Sequence, residues 1–350
     1  MLGFDIYLNR YLFACRVNSS LIWFPNFPST ELSLILGTAI ADRLPTIQAR
    51  PWRKTLAEWE DYLRPFDGKI SSIGKKGKKG KSRGKKKSRR MRKGSSAKVP
   101  ETPWPIDAVL FFYPGKRHYG QGELIFWELK LIGESADHGL FLEVILPALE
   151  ELGNRPDSRW QYSNGLWGRF DIQSVYMARG NRWEPVVEDG KLNLGYKATP
   201  LQWSQELDFE AYRRQASVKQ VTDDLTWLSP FDFRNSQGQE EAPTLKRILE
   251  AFADRTALLT LGKHYDLNAF CDLLSTKDHS ALVNAVEAAS HVPILKSSFD
   301  PVPGHWPGRW TGAQTFGVSI PDSVIPYIGL ASILHIGRHA HFGCGTFVVN

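Results

Sequence analysis

Cysteine is scarce in this 350-residue chain: Cys15, Cys271 and Cys344 are odd in number, far apart and without a C-x-x-C pair. That excludes a disulfide framework and a cysteine-based zinc site, and a reducing, cytoplasmic compartment is expected. Long apolar runs are missing too. The longest, roughly Val324 to Leu334, is about half the ~20 residues a membrane-spanning helix needs, so a soluble protein without a membrane partner is expected. Asp5 interrupts the first apolar run, and no basic leader or small-residue cleavage site marks a signal peptide. No short-period repeat is present. Acidic residues are absent between Lys75 and Lys93, where thirteen Lys or Arg lie.

That ribbon accounts for more than the whole net charge of +7, so the remainder of the chain carries −6. A mildly acidic body therefore bears one basic segment. With 42% hydrophobic and 12% aromatic residues, the body has enough apolar material for one large or two ordinary domains, which excludes whole-chain disorder.

Tyr11 to Val17 reads as a strand and Leu21 to Phe24 as a second apolar run. Ser29 stands where an N-cap would, with Glu31 at the positive end of the dipole. Leu32, Ile35, Leu36, Ala39 and Ile40 recur at helical spacing, so an amphipathic helix is expected over 30–43. Another helical stretch runs from Lys54 to Leu63. Residues 68–99, rich in Gly, Ser, Lys and Arg, have almost nothing to bury and are expected to be a disordered basic insertion. Strands follow at Trp104 to Phe112 and Glu123 to Ile132, around a turn at Pro114-Gly115. A helix from about Gly139 to Leu152 and a strand from Phe170 to Met177 complete the first half. This order is the split β-α-β-β-α-β pattern of a ferredoxin-like domain. In the second half, Leu192 to Ala198, Ser332 to Ile336 and Thr346 to Val349 read as strands, with helices at Thr244 to Leu261 and Ser280 to Ala289. The expected class is α+β, with two ferredoxin-like domains in tandem over 1–180 and 190–350.

The last residues are the most informative: Leu334-His335-Ile336-Gly337-Arg338-His339-Ala340-His341-Phe342-Gly343-Cys344-Gly345. Glycines let a backbone approach a phosphate closely while N–H groups and cations contact its oxygens. A glycine-rich hairpin between edge strands, with solvated histidines, accounts for the same residues. The histidines at i, i+4 and i+6 are not spaced like a helical metal pair, and no Asp/Glu motif accompanies them. No metal and no cofactor are expected.

This segment resembles the glycine-rich C-terminal loop of the RAMP superfamily, in particular the CRISPR repeat-processing endoribonucleases, whose motif is like L-H-V-G-K-x-x-x-F-G-x-G; here Arg338 replaces the usual Lys. Further segments match in order. Phe27-Pro28-Ser29 resembles the family's entry to its first helix, and Gly122 through Gly133 its G-D-x-L-x-F-x-L-x-L-I-G strand. Ala148 to Gly153 resembles its helix end, Leu192 to Leu201 the strand ending in T-P-L, and Trp310 to Gly317 its R-Y-S-x-R-Q segment.

The resemblance implies two ferredoxin-like domains, with the glycine-rich loop at 335–345. It also implies metal-independent cleavage of precursor CRISPR RNA within its repeats, by attack of the 2′-OH and departure of a 5′-OH. That chemistry needs a base, an acid and a cation, and histidine suits the proton transfers. Many relatives place a histidine in or near the first helix, whereas the first here is His118, and the usual early arginine is replaced around Ser33. The catalytic candidates are His335, Arg338 and His339. Candidate RNA contacts are Gly337, His341, Gly343 and Gly345 in the loop and Lys116, Arg117 and His118 at a hairpin tip. Lys85, Lys86, Lys87, Arg89 and Arg90 in the ribbon would contact phosphates only. The expected partners are precursor and processed repeat RNA, and other subunits of a CRISPR effector complex. A noncatalytic guide-RNA-binding subunit is the alternative, and an RNA-binding protein of the translation apparatus a second.

Overall fold

A computed structural model describes residues 5–24, 27–67, 104–154, 165–208, 223–234, 243–262, 266–304 and 306–350. The basic ribbon, with Lys85, Lys86, Lys87, Arg89 and Arg90, lies outside them. The protein is a mixed α/β structure with antiparallel sheets.

The larger sheet is built around β1 (Leu8–Val17), which pairs with β5 (Leu124–Ile132) on one side and β6 (Phe170–Arg179) on the other. Beyond them lie β3 (Ala108–Phe112), β7 (Arg182–Glu188) and β8 (Lys191–Leu192), in the order β3-β5-β1-β6-β7-β8. A separate pair joins β2 (Leu21–Trp23) to β4 (His118–Gly120). Side chains alternate across the sheet. Tyr11, Phe13, Cys15 and Val17 of β1, with Ile125, Trp127, Leu129 and Leu131 of β5, turn to one face and join the first core.

Helices α1 (Pro28–Arg43), α2 (Thr46–Asp67) and α3 (Leu146–Asn154, entered through a π-helical turn over Phe141–Ile145) belong to the same half. Three expectations need correcting here. Phe27, not Ser29, is the N-cap of α1: Pro28 occupies the first turn, where its missing N–H costs nothing, and Thr30 closes the turn onto the Phe27 carbonyl. Nor is α1 amphipathic, since twelve of its residues are buried; it is sandwiched rather than laid on a surface. Gly37 permits this, because a Cβ there would overlap the Trp104 indole. Finally, α2 begins at Thr46 and carries Pro51 within it.

The second sheet has the order β10-β11-β9-β12, from β9 (Asp224–Phe231), β10 (Ile294–Pro301), β11 (Trp310–Phe316) and β12 (Phe347–Val349). Its helices are α4 (Leu245–Leu261, capped by Thr244), α5 (Leu267–Leu273), α6 (Thr276–Ser290) and α7 (Ile325–Leu334). Two further corrections fall here. Leu192 to Ala198 leaves the sheet after Leu192: an Asx turn at Asn193 bends the chain, and Leu194 is 88% exposed. Ser332 to Leu334 is the end of α7, not a strand; a run apolar on every side has no periodicity by which to tell helix from strand.

The second core is not sealed from the first sheet. Leu8, Val109, Ile132 and Ala178, on the reverse face of that sheet, belong to it. Next along this face come Arg10, Glu128 and Lys130, and then Leu124 and Phe126, which are exposed.

Candidate functional site

The C-terminal loop starts where α7 stops, and two cations hold that stop. A helix leaves its last carbonyls without partners and makes its C-terminus partly negative. Here Lys130 Nζ donates to the Ile333 carbonyl at 2.7 Å, and Arg255 Nε to that of Leu334 at 3.2 Å. Both cations come from other elements, β5 and α4.

His335 then turns the chain at φ 58°, a left-handed value unusual for a residue with a Cβ. Its ring is fully buried, with Nδ1 3.1 Å from the Cys344 carbonyl and Nε2 2.7 Å from Lys130 Nζ, and it meets Phe111 edge-on at 5.6 Å. A carbonyl only accepts, so Nδ1 carries the proton and Nε2 accepts from the ammonium. The ring is therefore neutral. Burial, reinforced by the charge on Lys130, pulls its pKa well below the ordinary histidine value. Lys130 itself is pulled down to about 7 by burial, against the attraction of Glu128. Burial pushes Glu128 up, but Arg10, 2.6 Å away, and Lys130 more than offset this and hold it ionised.

Glycines shape the rest of the loop. A Cβ on Gly343 would overlap the Leu110 carbonyl of β3, and one on Gly345 the carbonyl of Ile336. Both residues are buried, and their N–H groups donate to Ala340 and Pro230. The expected reading of Gly343 and Gly345 as phosphate contacts is corrected accordingly: they allow protein to pack on protein. Phe342 and Cys344 join the first core while Leu334, Ile336 and Phe347 join the second, so the loop ties the halves together.

Its outer surface is made by Gly337 and Arg338, both exposed, and by His339 and His341, half-buried. The Arg338 N–H donates to the Asp232 carbonyl at 3.0 Å. The Asp232 carboxylate is gripped by Arg234, whose Nε lies 3.0 Å from both oxygens; burial raises its pKa, and these bonds outweigh burial and lower it. His339, at φ 63°, accepts from the Gly308 N–H on Nδ1 at 3.2 Å, which places the proton of its neutral ring on Nε2. His341 tilts against Phe342 at 4.3 Å.

Gly308 lies in the β10–β11 connection, which also carries Trp306. That indole receives Arg117 at 5.5 Å and meets Phe27 at 5.6 Å. Arg117 is thus brought towards His339 through one short segment. Lys116 instead pairs with Glu123, and His118 stacks on Trp23. Of the expected catalytic set, Arg338 and His339 share a surface, whereas His335 lies beneath it.

Sequence reasoning missed Lys130, Glu128, Asp232, Arg234 and Trp306. For the first two a signal existed: charges two apart in an otherwise apolar strand share a face and must pair if that face is covered. Among the described residues no three His, Cys, Asp or Glu side chains converge as metal ligands, and no helix is long and apolar enough to cross a membrane.

No protein-family model matches the sequence, and no curated protein does. Among solved structures, a chain of a partial Cas6-RT-Cas1–Cas2 complex matches 100% of this chain with a TM-score of 0.51 at 10% identity. This chain spans 47% of that one, about half its length. Cas6 of Thermus thermophilus matches 99% of this chain and 100% of its own at 13% identity, with a TM-score of 0.41. A Cas6-related protein of Pyrococcus furiosus matches 99% of both chains at 8% identity, with a TM-score of 0.37. The chain thus shares its fold with about half of that Cas6-RT-Cas1–Cas2 chain.

Proposed function

We propose that the protein is a metal-independent endoribonuclease that cleaves precursor CRISPR RNA within its repeats, leaving a 2′,3′-cyclic phosphate. One observation carries this reading: a loop with the RAMP-type signature lays Arg338 and His339 side by side on the surface where the two halves meet, in a chain that shares its fold with about half of a Cas6-RT-Cas1–Cas2 chain. The elements β1-α1-β3-β5-α3-β6 and β9-α4-β10-β11-α7-β12 each follow the order β-α-β-β-α-β with the sheet order second-third-first-fourth, which supports two ferredoxin-like domains; β7 and β8 continue the first sheet, so the first domain reaches Leu192, beyond the expected boundaries at 180 and 190. Free Cys15, Cys271 and Cys344 fit a cytoplasmic protein.

Arg338 stabilises the extra charge on phosphorus, and its guanidinium, like the family's Lys, stays cationic. His339 is the candidate donor to the departing 5′-oxygen once it carries a second proton as the imidazolium, with Nδ1 releasing the Gly308 N–H, and it returns to the neutral ring as His341, two residues on, accepts the 2′-OH proton. His335 is a strut that fixes the loop on Lys130. Gly337 and Arg117 add RNA contacts, and Lys85, Lys86, Lys87, Arg89 and Arg90 add salt-dependent affinity. The burial of His335 favours one other reading, a noncatalytic subunit that retains guide RNA within an effector complex.

Incubation of the purified protein with labelled repeat RNA in excess EDTA separates these readings. Cleavage to a cyclic phosphate and a 5′-OH is expected. Tight retention without cleavage favours the noncatalytic subunit, and strict magnesium dependence with a 3′-OH product overturns the mechanism.

A further inference from the structure

The β2–β4 pair presents one face to the first core, through Ile22 and Tyr119, and the other to solvent. The outward face carries Leu21, 56% exposed, and the directly opposed pair Trp23 and His118. Their rings are parallel to within 4°, with centroids 6.1 Å apart. A cleft of about 430 Å³ opens over them, lined by Ser19, Ser20, Leu21, Trp23, His118 and Arg169.

Three features of this cleft point to one ligand chemistry. Flat π-faces left half in water attract another flat π-system, and a nucleobase offers one whatever its identity. Arg169 is the cation among the lining residues, none of which is acidic, so a phosphate attached to that base meets attraction and no repulsion. The Ser19 hydroxyl is buried and has no hydrogen-bond partner among the described residues, an unmet polar group that a sugar or phosphate oxygen would satisfy. The volume lies within the ~300–1,000 Å³ of small-ligand clefts. The cleft is also joined to the loop surface through the backbone: Phe24, next to Trp23, donates to the carbonyl of Arg117, whose side chain lies on Trp306.

We infer that this cleft is a subsite for one unpaired nucleotide, with its base stacked on Trp23 and His118, its phosphate at Arg169 and an oxygen at Ser19. The inference rests on the reading that the protein binds RNA, but not on cleavage. A paired base cannot enter, because its faces are covered within the helix, so the subsite selects single-stranded RNA flanking any duplex.

The test is fluorescence anisotropy with a labelled single-stranded RNA of about twelve nucleotides and a blunt, fully paired RNA duplex, alongside the cleavage assay. Trp23→Ala should weaken binding of the single strand by about five- to hundredfold, leave the duplex unaffected, and be rescued in large part by Trp23→Phe. Arg169→Ala should lower the slope of log affinity against log salt for the single strand by about 0.7. His118 is exposed, so His118→Ala gives a second reading should Trp23→Ala lower the melting temperature. Unchanged single-strand affinity in both aromatic variants, or equal losses on the duplex, overturns the subsite whether or not repeat RNA is cleaved. If wild type fails to cleave repeat RNA but the single-strand losses appear, the endoribonuclease reading falls and the subsite stands. If wild type binds neither RNA, both fall.

Discussion

His335 and His339 lie four residues apart in one loop, both at positive φ, yet they occupy opposite environments. At His335 the ring is fully buried, bonded at both nitrogens, and kept neutral by burial and by Lys130. At His339 the ring is half-buried, and Nδ1 bonds to a loop N–H beside an exposed arginine. The difference teaches that a short motif can divide its labour: one end locks the loop to the sheet, and the other presents groups to a ligand. Backbone strain at both ends fits this division, since left-handed non-glycine residues persist only where their surroundings over-determine them.

The largest expected effect tests the division in the rate. His339→Ala should slow single-turnover cleavage of repeat RNA by about 10² to 10⁴ with affinity nearly intact. His335→Ala, measured on the folded fraction, should keep most of the wild-type rate. The reverse outcome, a rate collapse in folded His335→Ala and near-normal cleavage by His339→Ala, would show that the loop opens to expose His335 and would exchange the two roles.

Next in size is stability. Truncating His335 strips the buried Lys130 ammonium of one of its partners and empties a ring-sized space, so His335→Ala should lose about 2–4 kcal/mol in urea unfolding. His339→Ala should lose less than about 1 kcal/mol, as expected for a half-buried side chain with one bond to a loop N–H. Equal losses would erase the comparison.

How much of this was legible in the sequence follows from which physics wrote it. The strand periodicity of Tyr11 to Val17 and the alternation from Glu123 to Ile132 are local patterns, and both became strands at nearly those bounds. The helical stretch read from Thr244 to Leu261 is equally local, and it became a helix over Leu245–Leu261. By contrast, α1 is buried on all sides and α7 is apolar all round, so each lost its face signal to tertiary packing. The loop was legible as a motif and as a place, since its residues carry the resemblance. Its internal arrangement was not, because Lys130, Asp232, Gly308 and Trp306 reach it from sequence positions far from 335–345. A glycine that admits a phosphate and a glycine that admits a carbonyl look alike in sequence; only the Leu110 carbonyl against Gly343 tells them apart.

The smallest expected effect is a slope, and it is the most specific to His335. Burial and the neighbouring Lys130 hold the folded-state pKa of this ring well below the usual value, whereas the unfolded chain takes up the proton near pH 6.5. Below that pH the unfolded state binds one more proton than the folded state, so stability falls as pH falls. The contribution is fully present above about pH 6.5. Lys130 acts with the same sign in a higher window, since its pKa is pulled from 10.5 down to about 7, so stability rises with pH between those values. Gln at position 335 can accept from Lys130 and donate to the Cys344 carbonyl without titrating. Urea midpoints of wild type and His335→Gln should therefore run parallel above about pH 6.5 and diverge below it, by up to about 1.4 kcal/mol per pH unit. Lys130→Met should instead flatten the curve between pH 7 and 10.5. Parallel curves for wild type and His335→Gln throughout the acidic range would mean that His335 takes up its proton in the folded protein, as a solvated ring at an RNA-facing surface does, and would place it beside His339 rather than beneath it.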